Sequence, residues 1–443
     1  MKKTYLISLL ILLFISACQD IDDTSVVLSN SKKKQPVIIV NANRHLKIPE
    51  FWIDKIDNAN KVIMNDKEIS KFNHHTAYKK HTLTLFKDVS KAYGSSWVKN
   101  SILESFNGIK SRTTHLRDGN KISSEFYQKI KNELNLNGFL TKSVKTRYAL
   151  TTVYTNQKII PTELALLKKK NQIHFDRNQN SALDIATPLA ILHTSEDGLW
   201  YYGISPTSSG WVRAQDIAFG TKKEILDYLN SKNFVVTTSA KTAVKIGGKY
   251  HDYMRMGVRL PSLLNIDEQT MVMIPTANKK GDLVFTNATV KSSDVHKGYL
   301  KYTPANIITQ AFKFLHMPYG WGGMYGEQDC SKFIQEIYAT VGLKLPRNST
   351  SQSNVSNAKI KLSGLSKTSK QTFLRNSAIP GGTILHLKGH ITLYIGEYKG
   401  EPYIIQTVWG DSKRHYALGR TAVTSLNFHD YLEKIDKLTN LRL

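Results

Sequence analysis

The sequence contains only two cysteines, and one of them, Cys330, has the surroundings of a nucleophile. It follows a glycine-rich aromatic stretch, Tyr319-Gly320-Trp321-Gly322-Gly323, and it opens a segment whose apolar residues recur at helical spacing. A cysteine attacks as its thiolate, and the N-terminus of a helix favours an anion. The pattern therefore predicts a catalytic thiol, whereas the alternative is a buried and inert cysteine.

His390 is the strongest candidate for a general base among the 14 histidines. It lies in residues 389–396, where polar and apolar side chains alternate as they do in a β-strand. The alternation places His390 on one face and Ile391, Leu393 and Ile395 on the other, which is expected to face the core. A histidine that faces away from the core of a strand can reach the N-terminus of a neighbouring helix.

A third candidate, Gln406, comes from the strand that should follow. A turn within residues 397–402 would form a hairpin and bring positions 406–409 close to His390. Gln406 is the first polar side chain there, and an amide can hold an imidazole ring and fix its tautomer. We therefore predict a triad of Cys330, His390 and Gln406. His386 lies four residues before His390, but a zinc site of that spacing needs a helix, so neither a metal nor a cofactor is expected.

Residues 1–18 have the pattern of a bacterial lipoprotein signal peptide. Two lysines precede an apolar run from Tyr5 to Ile15, which is too short for a comfortable membrane span. The run ends in Ser16-Ala17-Cys18, and small residues before a cysteine resemble the lipobox, in which the cysteine is lipidated and becomes the mature N-terminus. We predict lipidation at Cys18, which would leave Cys330 as the only thiol; an ordinary signal peptide is the alternative.

The leader also predicts a location in the cell envelope, because lipid chains anchor a protein to a membrane. Gln19 stands after Cys18, where an aspartate is associated with inner-membrane retention in enteric bacteria. The outer membrane, facing the periplasm, is therefore the expectation for a Gram-negative cell.

The charge of the chain favours anionic partners. The 443 residues include 61 Lys and Arg against 35 Asp and Glu, a formal net charge of +26. Nucleic acid, anionic lipid and an acidic cell-wall polymer would all suit this charge. Because the leader directs the chain out of the cytoplasm, nucleic acid is not expected as a partner.

Periodicity and composition divide the rest of the chain. Residues 19–40 are predicted to be a flexible linker, and residues 41–147 a mostly helical N-terminal domain. Short β-type runs separated by turn residues predict two small β-barrels over 148–222 and 232–297, with Trp200 and Trp211 in the core of the first. Residues 300–443 combine helical and strand patterns, with a loop-rich stretch expected over 348–378.

Several motifs in order resemble the NlpC/P60 cysteine peptidases of bacterial cell walls. They are Tyr319-Gly320-Trp321-Gly322-Gly323, Asp329-Cys330-Ser331, Leu345-Pro346-Arg347 and the stretch 389–396. The resemblance implies a papain-like α+β catalytic domain, in which Cys330 attacks an amide and His390 is its base. It also implies that the substrate site is lined by Tyr319, Asp329, Ser331 and Arg347.

The segments upstream resemble a subgroup of that family with an N-terminal stabilising domain and two bacterial SH3-type domains. The resemblance to the family also implies its usual substrate class, the γ-D-glutamyl–diamino acid bond of peptidoglycan stem peptides. The sequence departs from the family pattern at three places, which are Lys332 in place of a small residue, Gly382 in place of Asp, and Gln406 in place of a third-position His. Lys332 is expected to point outward from the first turn of its helix.

These observations predict a lipid-anchored cysteine endopeptidase that cleaves stem peptides through a thioester acyl-enzyme. One alternative is a non-catalytic envelope or murein-binding lipoprotein that keeps the fold. Another is a transpeptidase or an antibacterial toxin that uses the same triad.

Overall fold

The computed structural model describes residues 44–411 and 416–443. The predicted signal peptide, the lipidation site at Cys18 and the linker over 19–40 lie outside the described residues. None of the helices within the described residues is long and apolar enough to cross a membrane.

The N-terminal part is mostly helical, but its helices pack into the cores of later parts of the chain. Trp52 and Phe72 are buried among residues of the C-terminal sheet and its helices, whereas Val98 and Ile130 are buried with Trp200 and Trp211. The elements are α1 (Pro49–Ile53), α2 (Asp66–Tyr78), β1 (Ala92–Gly94), α3 (Ser95–Lys110), β2 (His115–Leu116), α4 (Ser124–Glu133) and β3 (Ser143–Lys145).

A first large antiparallel sheet follows, and we call it the first sheet. Its strands and one short neighbour are β4 (Arg147–Thr151), β5 (Thr155–Lys158), β6 (Leu166–Leu167), β7 (Gln179–Leu183), β8 (Pro188–Thr194), β9 (Trp200–Ile204), β10 (Ser209–Arg213) and β11 (Ile217–Gly220). The order is β11-β4-β8-β9-β10-β5-β7, and β6 pairs instead with β2. Trp200 and Trp211 are both buried, so their interpretation as core residues is confirmed.

The second sheet has the same size and is also antiparallel. After α5 (Lys222–Leu229) come β12 (Phe234–Thr237), β13 (Lys241–Ile246), β14 (Lys249–Arg255), β15 (Arg259–Ile266), β16 (Gln269–Ala277), β17 (Leu283–Lys291) and β18 (Val295–Lys297). Their order is β14-β13-β17-β16-β15-β12-β18. Thr221 and Glu224 form a capping box at the start of α5, which satisfies N–H groups that the helix leaves unpaired.

The C-terminal part is a six-stranded sheet with helices, in agreement with the predicted α+β class. Its elements are α6 (Pro304–Phe312), α7 (Cys330–Ala339), α8 (Ser349–Gln352), β19 (Lys359–Lys361), α9 (Lys367–Ser377), β20 (Thr383–Leu387), β21 (His390–Tyr398), β22 (Glu401–Asp411), β23 (Tyr416–Ser425), α10 (Tyr431–Lys434) and β24 (Lys437–Asn440). The order is β19-β24-β20-β21-β22-β23. Short 3-10 turns complete the described elements at Arg44–Lys47, Phe86–Asp88, Leu136–Gly138, Ala214–Asp216, Ser292–Asp294, Trp321–Gly326 and Phe428–Asp430.

Both faces of this third sheet are covered. Ile391, Leu393 and Ile395 pack in the core that contains α6 and α7, as the alternation predicts. Tyr394, on the opposite face, is buried with Leu374 of α9 and Leu432 of α10. The expectation of a loop over 348–378 is wrong for α9, because Ser366 caps its first turn and Leu374 gives it a buried contact.

Replacement of Trp52 tests whether the N-terminal helices stabilise the core of the C-terminal part. The Trp52 side chain is 1% exposed, and its indole Nε1–H donates to the Leu46 carbonyl at 2.9 Å. Trp52→Ala should lower the free energy of unfolding by about 3–5 kcal/mol, with faster hydrogen exchange in β21. Trp97→Ala is the matched control, because Trp97 is 51% exposed; equal exchange in the two variants would show that α1 is dispensable for this core.

Candidate active site

Cys330 is the first residue of α7, and Asp329 is the N-cap. The Asp329 side chain accepts the N–H of Lys332 at 2.8 Å, which fixes the start of the helix beneath the sulfur. Burial raises the pKa of the Cys330 thiol to about 12, and the negative charge of Asp329 adds to the effect. The backbone N–H groups of Ile391 and Ser331 act in the opposite direction. The thiol is therefore neutral in the resting site, and it lies against the backbone of the residue that follows His390.

His390 and Gln406 are joined as the sequence predicts. Strands β21 and β22 form an antiparallel hairpin in which Leu393 pairs with Ile405, and His390 Nε2 lies 2.6 Å from Gln406 Oε1. The Gln406 amide donates in turn to Thr424 Oγ1 at 2.8 Å. Because this bond directs Oε1 toward the ring, Nε2 carries the proton and Nδ1 keeps the lone pair that a base needs. Sequence reasoning missed Thr424, which lies on β23 and belongs to no recognisable motif.

Burial lowers the pKa of His390 to about 4, and the bond to Gln406 opposes this only in part. At neutral pH the imidazole is therefore uncharged. A neutral thiol and a neutral imidazole can still react, provided that the proton moves from sulfur to Nδ1 as the sulfur attacks.

Asp329, Ser331 and Arg347 are bonded to one another. The guanidinium of Arg347 contacts the Asp329 carboxylate through Nη2 at 2.6 Å and Nη1 at 3.2 Å. The hydroxyl of Ser331 donates to Asp329 Oδ1 at 3.0 Å and accepts from Arg347 Nη1 at 2.8 Å. All three residues line the groove above Cys330, and their direct contact with a substrate stays a prediction.

Tyr319 lies in the wall of the same groove. Its backbone N–H donates to the Gly419 carbonyl at 2.8 Å, which attaches the motif loop to β23. Its ring centroid lies 6.0 Å from that of Trp409 on β22. Burial, followed by the negative charge of Asp329, raises the pKa of the phenol, so the hydroxyl remains protonated and available as a donor.

The glycines of the motif loop allow the first sheet to approach closely. Gly322 and Gly323 have φ values of 64° and 88°. A Cβ atom on Gly322 would lie 2.5 Å from Gln179 Cγ, and one on Gly323 would lie 2.8 Å from Ala182 Cβ. These positions therefore require glycine both for their backbone conformation and for contact with β7.

The result is a groove of about 700 Å³ whose walls come from three parts of the chain. Glu104, Ser105 and Gly108 of α3 and the nearby Arg112 form one side. Gln179, Asn180 and residues 207–209 of the first sheet form another. The C-terminal part supplies Cys330, the four predicted substrate residues and Gly389, which precedes His390.

Comparison with known families identifies two parts of the chain. Residues 316–411 match the model of the NlpC/P60 family, and residues 166–213 match that of an SH3 domain of the SH3b1 type. The first match lies within the C-terminal part, which we call the NlpC/P60 domain. The second lies within the first sheet, which we call the SH3 domain.

Solved structures with the same fold exist. An NlpC/P60 endopeptidase from Photobacterium damselae subsp. piscicida superposes with a TM-score of 0.72 at 21% identity, over 88% of this chain and 96% of that one. An NlpC/P60 family protein from Bacillus cereus gives a TM-score of 0.50 at 17% identity, over 67% of this chain and all of that one. No curated protein sequence matches the chain significantly.

Lys332 does not point outward, and the expectation that it would is wrong. Its Nζ lies 3.4 Å from Asp184 Oδ2 of the SH3 domain, and Asp184 also forms a two-bond ion pair with Arg255 at 2.9 and 3.0 Å. Arg255 Nη1 lies 3.3 Å from Glu336 on α7. The two sheets pack against this face of the helix in the NlpC/P60 domain, so a position that would be exposed on an isolated helix is covered.

Replacement of Asp184 tests how much its ion pairs with Arg255 and Lys332 stabilise the protein. Asp184→Asn should lower the free energy of unfolding by about 3–5 kcal/mol, because it leaves Arg255 and Lys332 buried without their shared carboxylate. The matched control is Asp227→Asn, since Asp227 is 65% exposed in its ion pair with Lys223 and should change stability by less than about 1 kcal/mol. Urea unfolding of both variants makes the measurement, and equal losses would contradict the assignment.

Proposed function

We propose that the protein is a lipid-anchored cysteine endopeptidase that cleaves the γ-D-glutamyl–diamino acid bond of peptidoglycan stem peptides. The observation that carries the proposal is the arrangement around Cys330, a thiol at a helix N-terminus beside the strand that bears His390. The NlpC/P60 match and the resemblance of the motifs support the reaction class. The Photobacterium protein, whose fold is similar over most of the chain, is described as an endopeptidase of that family.

The reaction follows from the resting protonation states. His390 Nδ1 accepts the thiol proton as the Cys330 sulfur attacks the γ-carbonyl carbon. The C–N bond breaks, and His390 returns the proton to the leaving amine of the diamino acid. The γ-glutamyl group remains on sulfur as a thioester. Water, deprotonated by the same nitrogen, then attacks the thioester and releases the carboxylic acid and the free thiol.

Gln406 and Thr424 act as positioning residues in this scheme. Gln406 Oε1 accepts a hydrogen bond from His390 Nε2–H and therefore stabilises the imidazolium that forms when Nδ1 takes the thiol proton. An amide provides this orientation without a negative charge, so it leaves the pKa of His390 low. A carboxylate in the same place would raise that pKa.

We place the enzyme at the cell envelope, attached through Cys18 and facing the periplasm from the outer membrane in a Gram-negative cell. The sequence of residues 1–18 supports this proposal, and the net charge of +26 suits an anionic wall or membrane. Mass spectrometry of the mature N-terminus distinguishes a diacylated Cys18 from a simple cleaved end.

Replacement of the thiol tests the reaction. Wild-type protein should cleave isolated muropeptides into two products, one that ends in γ-D-glutamate and one that begins with the diamino acid. Cys330→Ala should reduce cleavage to the background rate. Mass spectrometry of the digest names the bond. Unchanged cleavage by Cys330→Ala would refute the mechanism, inactivity of the wild type would favour a binding protein, and products of higher mass would indicate transpeptidation.

The pH profile tests the role of His390. Because its folded-state pKa is about 4 rather than 6.5, the base is unprotonated above about pH 4, and kcat/KM should fall only as the pH drops toward that value. Gln406→Glu keeps an acceptor for Nε2 and should move this acidic limb upward by about one unit or more. A limb near 6.5 in the wild type, or no shift in the variant, would contradict the assignment.

A further inference from the structure

Among the residues that the structure describes, Arg177 lies beside the groove without an acidic partner. It belongs to the loop between β6 and β7 of the SH3 domain, and its guanidinium carbon lies 4.6 Å from the ring centroid of Trp321 in the motif loop. Phe175 packs edge-on against the same indole, with ring centroids 5.3 Å apart. These contacts hold the planar guanidinium in one orientation, which reduces the entropy lost when it binds a ligand.

Two N–H donors at this place lack acceptors. Neither Arg177 Nε nor Trp321 Nε1 has a hydrogen-bond partner in the described parts of the chain, and both are shielded from solvent. A buried donor without an acceptor is costly, at roughly 1–3 kcal/mol. A buried donor of this kind calls for an explanation, and an acceptor on a bound ligand, ion or water is one.

A second arginine approaches from the N-terminal helices. Arg112 lines the groove just after α3, and within residues 44–411 and 416–443 no ion pair is found for it or for Arg177. Burial lowers the pKa of Arg177, and the positive charge of Arg112 lowers it further, so the two cations repel each other. Glu104 is the acidic residue of α3 in the groove wall, and it lies about two helical turns before Arg112. Its negative charge contributes to the raised pKa of Tyr202, which is due first to burial.

We propose that Arg177 and Arg112, with the indole N–H of Trp321, form a subsite for a carboxylate of the bound peptide. A carboxylate is planar and accepts two parallel N–H bonds from a guanidinium. It would also remove the repulsion between the two arginines. Tyr319 connects the subsite to the thiol, because it lines the groove with Trp321 and Cys330 and its phenol pKa responds to the charge of Arg177.

This subsite rests on the proposed function, since stem peptides carry several free carboxylates. It assigns substrate selection to residues of the SH3 domain and the N-terminal helices. Amidation of the recognised carboxylate, which removes its charge, would therefore protect a peptide from cleavage.

The test uses L-alanyl-γ-D-glutamyl-diaminopimelyl-D-alanine and three versions of it, each amidated at one carboxyl group. For wild-type enzyme, one amidation should reduce kcat/KM by about 10- to 100-fold, mainly through KM. Arg177→Gln should lower kcat/KM for the unmodified peptide by the same factor. The amidation that weakens cleavage by the wild type should then cause no further decrease in this variant. Arg177→Lys should not restore the wild-type kcat/KM, because an ammonium loses the stacked two-bond geometry.

Arg147→Gln is the matched control. Arg147 belongs to the same sheet, and its guanidinium lies 3.5 Å from the ring centroid of Phe219. Phe219 does not line the groove, whereas Arg177 stacks on Trp321, which does. This variant should keep wild-type kcat/KM for all four peptides. The subsite is refuted if amidation at every position lowers kcat/KM by the same factor in the wild type and in Arg177→Gln. It is also refuted if Arg147→Gln lowers kcat/KM as much as Arg177→Gln does.

Calorimetry with the Cys330→Ala protein separates this inference from the proposed function. If the unmodified peptide binds and Arg177→Gln weakens its binding about 10-fold or more, the subsite is supported without any turnover. If the peptide binds equally to both proteins, the subsite is wrong and the proposed function stands. If the peptide does not bind at all, both proposals fail.

Discussion

The site depends on the buried ion pair between Asp329 and Arg347. Asp329 caps α7 through the Lys332 N–H, and its second oxygen accepts the Gly322 N–H at 3.0 Å. Arg347 neutralises this carboxylate and donates through Nε to Ser181 of the SH3 domain at 3.0 Å. One carboxylate thus fixes the helix that presents the thiol and the loop beside it. Without its arginine, an ionised Asp329 at this depth would be expensive.

A second group of charges connects the same helix to both sheets. Asp184, Arg255, Lys332 and Glu336 share one buried cluster, and burial raises the pKa of Glu336 to about 7, against the opposing charge of Arg255. The helix that carries Cys330 is therefore held on one side by its own cap and on another by two further parts of the chain. Such positioning matters because a displacement of a catalytic group by about 1 Å can greatly lower the reaction rate of an enzyme.

The sequence predicts those features that arise from local periodicity. The alternation around His390 predicts β21 and its hairpin, and the hairpin in turn predicts the contact with Gln406. Thr424, Asp184 and Arg255 escape prediction, because their partners are distant in sequence and no spacing marks them. The outward orientation expected of Lys332 is wrong, since helical periodicity tells which face is buried by its own domain but not which neighbour covers the other. For the same reason, the pattern of the N-terminal helices does not reveal that Trp52 and Val98 belong to different cores.

The close approach at Gly322 and Gly323 has a consequence for how such proteins evolve. The motif loop is complementary in shape to β7. Gln179 and Ala182 lie against the backbone of the two glycines, where a side chain would not fit. A recombination event that exchanged the SH3 domain for another would have to preserve this fit, or the loop would lose its support. The SH3 domain and the NlpC/P60 domain are therefore expected to be inherited as a pair. The boundary between them in the sequence is a poor place for a crossover.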